Sequence, residues 1–208
     1  MKQHLILSLL VAAGLFLPAN FLQAQSLRNF WTTAPDSLFP HLNAGKRTEL
    51  LDYVSMGVKA ETKNSFNEMV TINTLTPNFM EVAICDNLLI QIKQLPSTGS
   101  DSLFCVVKTF GNQEKESTIT LYDANWQTKQ QLRFSPLQSI GEPGNMSTEQ
   151  YNQLKQLTTF YMVKAELTPT ATDLILTHEA PMLSTDEKKK LNSLQKQTIL
   201  KWNGETFK

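Results

Sequence analysis

The feature that most restricts the fold of this sequence is a series of short strand-like segments joined by polar turns. Their connections carry Pro, Gly, Asn or Asp, as at Pro77, Asp86-Asn87 and Gly111-Asn112. Short apolar or alternating segments with such connections are typical of antiparallel hairpins. We predict strands over residues 69–75, 78–84, 88–95, 103–110, 117–122 and 128–134.

An amphipathic helix is predicted ahead of this series. Leu50, Leu51 and Val54 have the spacing of one helical face, which indicates a helix over residues 46–56. The apolar period then changes to two over residues 58–63, so the chain passes from helix to strand at this point.

Two capping boxes predict further helices near the C-terminus. Ser147 with Gln150 marks the start of one helix, and Ser184 with Glu187 marks the start of another that ends near residue 195. Strand patterns accompany them at residues 160–167, 173–178 and 198–202. Helices kept apart from a run of hairpins indicate the α+β class. We therefore predict an antiparallel sheet of hairpins with two or three amphipathic helices packed on it.

A repeated tetrapeptide raises the question of duplication. Val58-Lys59-Ala60-Glu61 and Val163-Lys164-Ala165-Glu166 are identical, and each follows a predicted amphipathic helix. The chain could be two α-then-β halves, or the match could reflect chance and the common demands of a helix-to-strand transition. The sequence leaves both readings open.

The N-terminus predicts export. Lys2 precedes a largely apolar run over residues 5–17, and Pro18 and a small residue at Ala24 follow it. This order is typical of a secretory signal peptide, and the run is shorter than the roughly 20 residues of a membrane-spanning helix. We expect residues 1–24 to be removed and the mature protein to be periplasmic or secreted.

The mature chain, residues 25–208, has the usual size of one domain. Pro and Gly gather near residues 136–146, which makes this segment a candidate subdomain boundary. Over the full chain, the 19 basic residues balance the 19 acidic ones and form no basic stripe, so we expect no nucleic-acid partner. Without another long apolar segment, we also expect no membrane span in the mature chain.

The two cysteines, Cys85 and Cys105, leave two alternatives. Export would allow a disulfide to persist. A plain meander, however, would place Cys105 opposite about Ile92, on the far side of the middle strand from Cys85 and too far for a bond. We favour two thiols.

No recognisable catalytic or metal-binding motif is present. His41 and His178 belong to no zinc-ligand pattern, and the glycines form no phosphate loop. A triad of Asp36, Ser37 and His41 would need chance proximity, and a glycosidase pair of carboxylates, such as Glu166 and Glu179, cannot be identified by spacing. We therefore predict no catalytic residue, no metal site and no cofactor.

Trp126 is the one candidate binding residue. It lies in a polar hairpin tip, where a large aromatic side chain either contacts a partner or folds back on its own sheet. The sequence favours the second alternative.

Several short segments resemble a known family. These are Phe30-Trp31, Pro35-Asp36-Ser37-Leu38, Val58-Lys59-Ala60-Glu61 and the run Val106-Val107-Lys108-Thr109-Phe110-Gly111. Together they resemble domain of unknown function 3256, a secreted family of Bacteroidales, from about residue 26 to 126 and more loosely to the C-terminus. The resemblance implies a cell-envelope or secreted protein and implies no activity, cofactor or catalytic residue.

Bacteria of the phylum that includes Bacteroidales attach O-glycans to exported proteins at Asp-Ser/Thr-apolar sites. Asp36-Ser37-Leu38 and Asp101-Ser102-Leu103 resemble such sites. We predict O-glycosylation at Ser102, which falls in a polar loop.

Three functions remain in order of preference. The first is a non-catalytic envelope protein that binds an unknown envelope protein or component. The second is a carrier of a small ligand or lipid, with a pocket between helix and sheet. The third is a hydrolase with dispersed residues.

Overall fold

The computed structural model describes residues 27–98, 102–134, 147–157, 161–194 and 197–208. The predicted signal peptide and the candidate boundary near residues 136–146 lie outside the described residues.

The described elements follow one another in a simple order. A helical stretch at residues 27–32 (α1) precedes a short 3₁₀ helix, Asp36–Leu38, and helix α2, Ala44–Ser55. Seven strands follow: β1 Glu61–Lys63, β2 Met69–Leu75, β3 Phe79–Cys85, β4 Leu88–Leu95, β5 Leu103–Phe110, β6 Glu116–Asp123 and β7 Thr128–Leu132. The C-terminal part contains α3 Thr148–Leu157, β8 Met162–Leu167, β9 Asp173–Glu179, α4 Thr185–Leu194 and β10 Thr198–Lys201.

The first seven strands form one antiparallel sheet in the order of the chain, β1 to β7. The predicted strands at 69–75, 88–95 and 103–110 are confirmed at both ends, and the other strands of the series differ by one or two residues. Strand β1 is shorter than the alternating pattern at 58–63. The reason is that the Val58 amide donates back to the Tyr53 carbonyl (3.1 Å), which extends the helix C-terminus and delays the strand.

A second antiparallel sheet has the order β10-β9-β8. Together with the helices, the two sheets confirm the predicted α+β class.

The repeated tetrapeptide lies in different settings, because the first copy ends at the start of β1 and the second lies within β8. Seven strands follow α2 but two follow α3 before the next helix, so the described halves do not repeat one topology.

The large sheet is the middle of three layers. On one face, α1, α2 and the connecting segment cover a buried cluster that includes Trp31, Leu50 and Ile92. On the other face, the second sheet covers a cluster that includes Val107, Leu167 and Leu176. Because both faces are covered, buried residues do not simply alternate along β4 and β5.

Side chains of the large sheet hold the edge of the second sheet. The Ala165 amide of β8 donates to Ser117 Oγ (2.9 Å), and the Leu167 amide donates to Gln91 Oε1 (2.8 Å). These amides face away from β9, so without the two side chains they would be buried with no acceptor. This explains why polar Gln91 is buried.

Both predicted capping boxes are present. The Gln150 amide donates to Ser147 Oγ (3.2 Å) while the Ser147 amide donates to Gln150 Oε1 (3.1 Å). The Ser184 amide likewise donates to Glu187 Oε2 (2.8 Å). Each pair satisfies two amides that the first helical turn leaves without a partner.

Both cysteines are free thiols. The register places Cys105 opposite Lys93, one position away from the expected Ile92. Its side chain therefore faces the second sheet, where burial raises the pKa of the thiol and makes it unreactive.

Candidate ligand-binding site

A cavity of about 290 Å³ lies between the N-terminal segment and the large sheet. Residues 37–42 form one wall, and Ile84, Leu88, Ile90, Lys108 and Phe110 form the other. This volume lies at the lower end of the range for small-molecule sites. Its position matches the helix–sheet pocket of the carrier hypothesis.

The sheet side of the pocket is built from Ile84 of β3 and from facing residues on β4 and β5. Ile90 lies opposite Lys108, and Leu88 lies opposite Phe110. Ile90 is 1% exposed whereas Phe110 is 45% exposed. The pocket therefore has a closed end at Ile90 and a rim at Phe110.

Arg47 of α2 holds the N-terminal wall in place. Its Nη1 donates to the Leu42 carbonyl (2.6 Å) and to Asp36 Oδ1 (3.0 Å), and its Nη2 donates to the Ala34 carbonyl. The Arg47 side chain is fully buried. The planar guanidinium can join several oxygens at once, so one residue fixes both ends of the turn at residues 34–42.

An aromatic stack attaches the same segment to the sheet. Phe30 lies between Phe104 and Trp126, with ring centroids at 3.9 and 3.8 Å. Trp126 Nε1 donates to the Phe30 carbonyl (2.8 Å), and the Trp126 side chain is buried. The candidate binding residue thus folds back on the core, and its ring is not on the surface where a partner could reach it.

Among the described residues that line the pocket, Lys108 is the one lysine or arginine. Its Nζ donates to the Leu38 carbonyl (2.7 Å) and lies 4.8 Å from the centroid of the Phe39 ring. Within the described part of the chain, no carboxylate pairs with this ammonium, and burial lowers the pKa of Lys108. The site therefore offers a half-desolvated positive charge that lacks a counter-ion.

Asp36, Ser37 and His41, a triad that the sequence did not favour, lie close to the pocket, and no hydrogen bond described for them joins their side chains into a catalytic relay. Ser37 and His41 line it, whereas the Asp36 carboxylate is bound by Arg47. The His41 ring lies 4.4 Å from the ring of Phe66, which is 65% exposed. The described residues that line the pocket include no Asp or Glu.

The other residues that the sequence analysis weighed and did not assign to a site lie elsewhere. Glu166 is opposite Ile175 and pairs with Lys164 (2.9 Å), so it does not face Glu179. His178 is buried, its Nδ1 has no hydrogen-bond partner among the described atoms, and burial lowers its pKa.

The structure brings Glu179 next to a residue that the sequence did not indicate. Glu114, from the loop after β5, lies beside Glu179 and pairs with Lys188 of α4. Burial, followed by the hydrogen bond to Glu114, raises the pKa of Glu179, and Lys188 lowers the pKa of Glu114. The Lys115 amide donates to Glu179 Oε2 (2.5 Å). The three charged side chains therefore join this loop to α4 and the end of β9.

A second cavity, of about 350 Å³, lies among β6, β7 and the start of β8. Phe134 and Tyr161 form part of its wall and adjoin residues 135–146 and 158–160, outside the described residues.

Ser102 is half-buried, and its Oγ accepts a hydrogen bond from Gln94 Nε2 (3.2 Å). Its glycosylation stays a prediction.

The described residues show neither a metal-binding cluster nor a membrane-spanning helix. Over those ranges, no three His, Cys, Asp or Glu side chains are grouped so that they could hold a metal ion. None of the helices described here combines the length and apolar character needed to cross a membrane.

Comparisons with known proteins agree with the resemblance seen in the sequence. A family described as "Protein of unknown function (DUF3256)" matches residues 19–207, which confirms that resemblance. No curated protein matches the chain. A solved domain of an uncharacterized protein from Porphyromonas gingivalis W83 is similar with a TM-score of 0.74 and 19% identity, over 88% of this chain and 96% of that one. At this identity the similarity shows a shared fold.

Proposed function

We propose that this chain, which belongs to the DUF3256 family of proteins of unknown function, is exported and acts as a non-catalytic binding module. Its ligand is a small apolar component of the cell envelope, held in the pocket between the N-terminal segment and the large sheet. Export rests on the signal-like order of residues 1–24.

The observation that carries the binding proposal is the chemistry of the pocket. Apolar side chains from three strands face an N-terminal wall that Arg47 and the aromatic stack hold in place. Pre-formed apolar cavities with a few polar groups are the usual form of small-molecule sites. A rigid wall favours affinity because little conformational entropy is lost when a ligand binds.

Export is tested by the mass of the protein recovered from its host. We expect the envelope or secreted fraction to contain a chain that begins at Gln25. Leu10→Arg, which interrupts the apolar run, should keep the full-length chain in the cytoplasm. An unprocessed chain found only in the cytoplasm with the natural sequence would contradict export.

Binding is tested with octanol, a neutral apolar probe whose nine non-hydrogen atoms match the cavity. Since one water occupies about 30 Å³ in the liquid, 290 Å³ holds roughly ten atoms of this size. Leu88→Trp should fill the pocket and abolish binding in calorimetric titrations. Leu89→Trp makes the same change on the opposite face of β4 and should leave binding intact.

Two results would oppose the binding proposal. The first is the absence of binding by octanol and by octanoate, its charged analogue, to the natural chain. The second is binding that Leu88→Trp and Leu89→Trp affect equally, because the ligand would then lie elsewhere. Thermal unfolding of both variants would show that each is folded before binding is compared.

A further inference from the structure

We propose that the ligand of this pocket is a singly charged apolar carboxylate, whose carboxylate pairs with Lys108 at the closed end. This inference rests on the proposed function and adds the charge and orientation of the ligand.

The Lys108 ammonium has more hydrogen-bond donors than the described protein groups have acceptors for it. A lysine ammonium has three donors, and one of them is used by the Leu38 carbonyl. Taking a charge out of water is costly unless it is paired. A carboxylate in the pocket would supply both the missing acceptors and the missing negative charge.

Lys93 shows how the protein itself can supply acceptors to a lysine of this sheet. Lys93 lies on β4 and its side chain faces the second sheet, where its Nζ donates to the carbonyls of Thr168 (3.0 Å) and Pro169 (2.7 Å). Lys93 is 1% exposed, so the protein itself closes this site. Lys108 has one such carbonyl and faces a cavity, which leaves room for an acceptor from outside.

The number of positive charges in the pocket indicates the charge of its ligand. Lys108 is the one lysine or arginine among the described pocket residues, and the facing walls include Ile84, Ile90 and Leu42. One ammonium neutralises one negative charge. A phosphate dianion would bring a second charge into apolar surroundings, where it would be expensive to bury. A carboxylate matches both the charge and the size.

The positions of Lys108 and Phe110 indicate the orientation of the ligand in the pocket. Lys108 faces Ile90 at the closed end, and Phe110 faces Leu88 at the rim. With its carboxylate on Lys108, a ligand would lay its apolar part along Leu88 and Phe110 towards the opening. The exposed part of the Phe110 ring would then be covered.

The test compares three eight-carbon probes that differ in the head group: octanoate, octanol and octylammonium. We expect calorimetry on the natural chain at neutral pH to give octanoate an affinity at least about tenfold above that of octanol, the effect of a charge-assisted hydrogen bond. Octylammonium should bind more weakly than octanol, because like charges repel.

Lys108→Met removes the charge and keeps the apolar stem. We expect it to lower octanoate affinity about tenfold or more and to leave octanol binding unchanged or tighter. Lys59→Met is the matched control, because Lys59 is exposed and lies outside the pocket, and it should change neither affinity.

Each outcome has a defined meaning. Equal binding of octanoate and octanol to the natural chain would overturn the carboxylate inference and leave the proposed function standing. Preference for octanoate that survives in Lys108→Met would also overturn it. No binding of any probe would overturn the proposed function and this inference with it. The comparison of probes needs no variant, so it decides even if Lys108→Met fails to fold.

Discussion

At the scale of single residues, three buried or half-buried cations donate hydrogen bonds to backbone carbonyls outside their own helix or strand. Arg47 binds the carbonyls of Ala34 and Leu42, Lys93 binds those of Thr168 and Pro169, and Lys108 binds that of Leu38. Lys108 and Leu38 are 70 residues apart. No periodicity or local motif reports such a contact, which is why the sequence did not indicate Lys108 as a site residue.

The partners of Arg47 predict a large effect of its removal. Arg47→Met leaves the carbonyls of Ala34 and Leu42 buried without a donor, and each such group costs about 1–3 kcal/mol. We expect the free energy of unfolding in urea to fall by about 3 kcal/mol. Asp36→Asn, which alters the exposed partner of the same guanidinium, should cost less than about 1 kcal/mol. Similar losses in the two variants would contradict this role of Arg47.

His178 predicts a dependence of stability on pH. Burial lowers its folded-state pKa below the ordinary value of 6.5, so the unfolded chain binds the proton more readily. The free energy of unfolding should therefore decrease as the pH falls through about 6.5. His178→Phe should flatten this dependence when urea unfolding is measured between about pH 7.5 and 5.5. An equally steep loss in both proteins would assign it to other groups.

At the scale of elements, the strands and caps were the most predictable features. Strands β2, β4 and β5 have the predicted bounds, and both capping boxes form. These elements follow local rules of alternation, turn residues and side-chain capping. The short β1 departs from its pattern because the α2 C-terminus continues into residues that alternate like a strand.

The second sheet shows where a local pattern misleads. Gln91 and Lys93 alternate with Ile90 and Ile92, as polar residues do on a strand that has one solvent-exposed face. Both are nevertheless buried, because Gln91 accepts from the Leu167 amide and Lys93 donates to the loop after β8. Whether a polar residue faces water or a distant amide depends on packing that a sequence pattern does not contain.

The edge of β8 predicts a stability effect of Ser117. Ser117→Ala leaves the Ala165 amide without an acceptor and also removes the contact with the Thr109 hydroxyl (2.8 Å). We expect a loss of about 1–3 kcal/mol in the free energy of unfolding. Thr118→Ala, at the next and exposed position of β6, should stay within about 0.5 kcal/mol. If Thr118→Ala proved the more damaging change, the Ser117 contact would not hold the edge.

At the scale of the whole molecule, the large sheet separates two different environments. The second sheet covers one face, and the carbonyls of Thr168 and Pro169 in the loop after β8 accept hydrogen bonds from Lys93. The N-terminal segment covers the other face and leaves a pocket beside Lys108. The α+β class could be predicted from the sequence, whereas a pocket was one alternative among three functions. The residues that form the pocket could not be predicted, because they come together only when residues 37–42 cross the ends of β3, β4 and β5.

The most direct test of the account is a methyl NMR titration of the natural chain with octanoate. Leu42, Ile84, Leu88 and Ile90 report on the pocket, and Leu167, Leu174 and Leu176 report on the opposite layer. We predict saturable shifts confined to the first group. An absence of shifts, or shifts centred on the second group, would contradict the assignment of this pocket as the binding site.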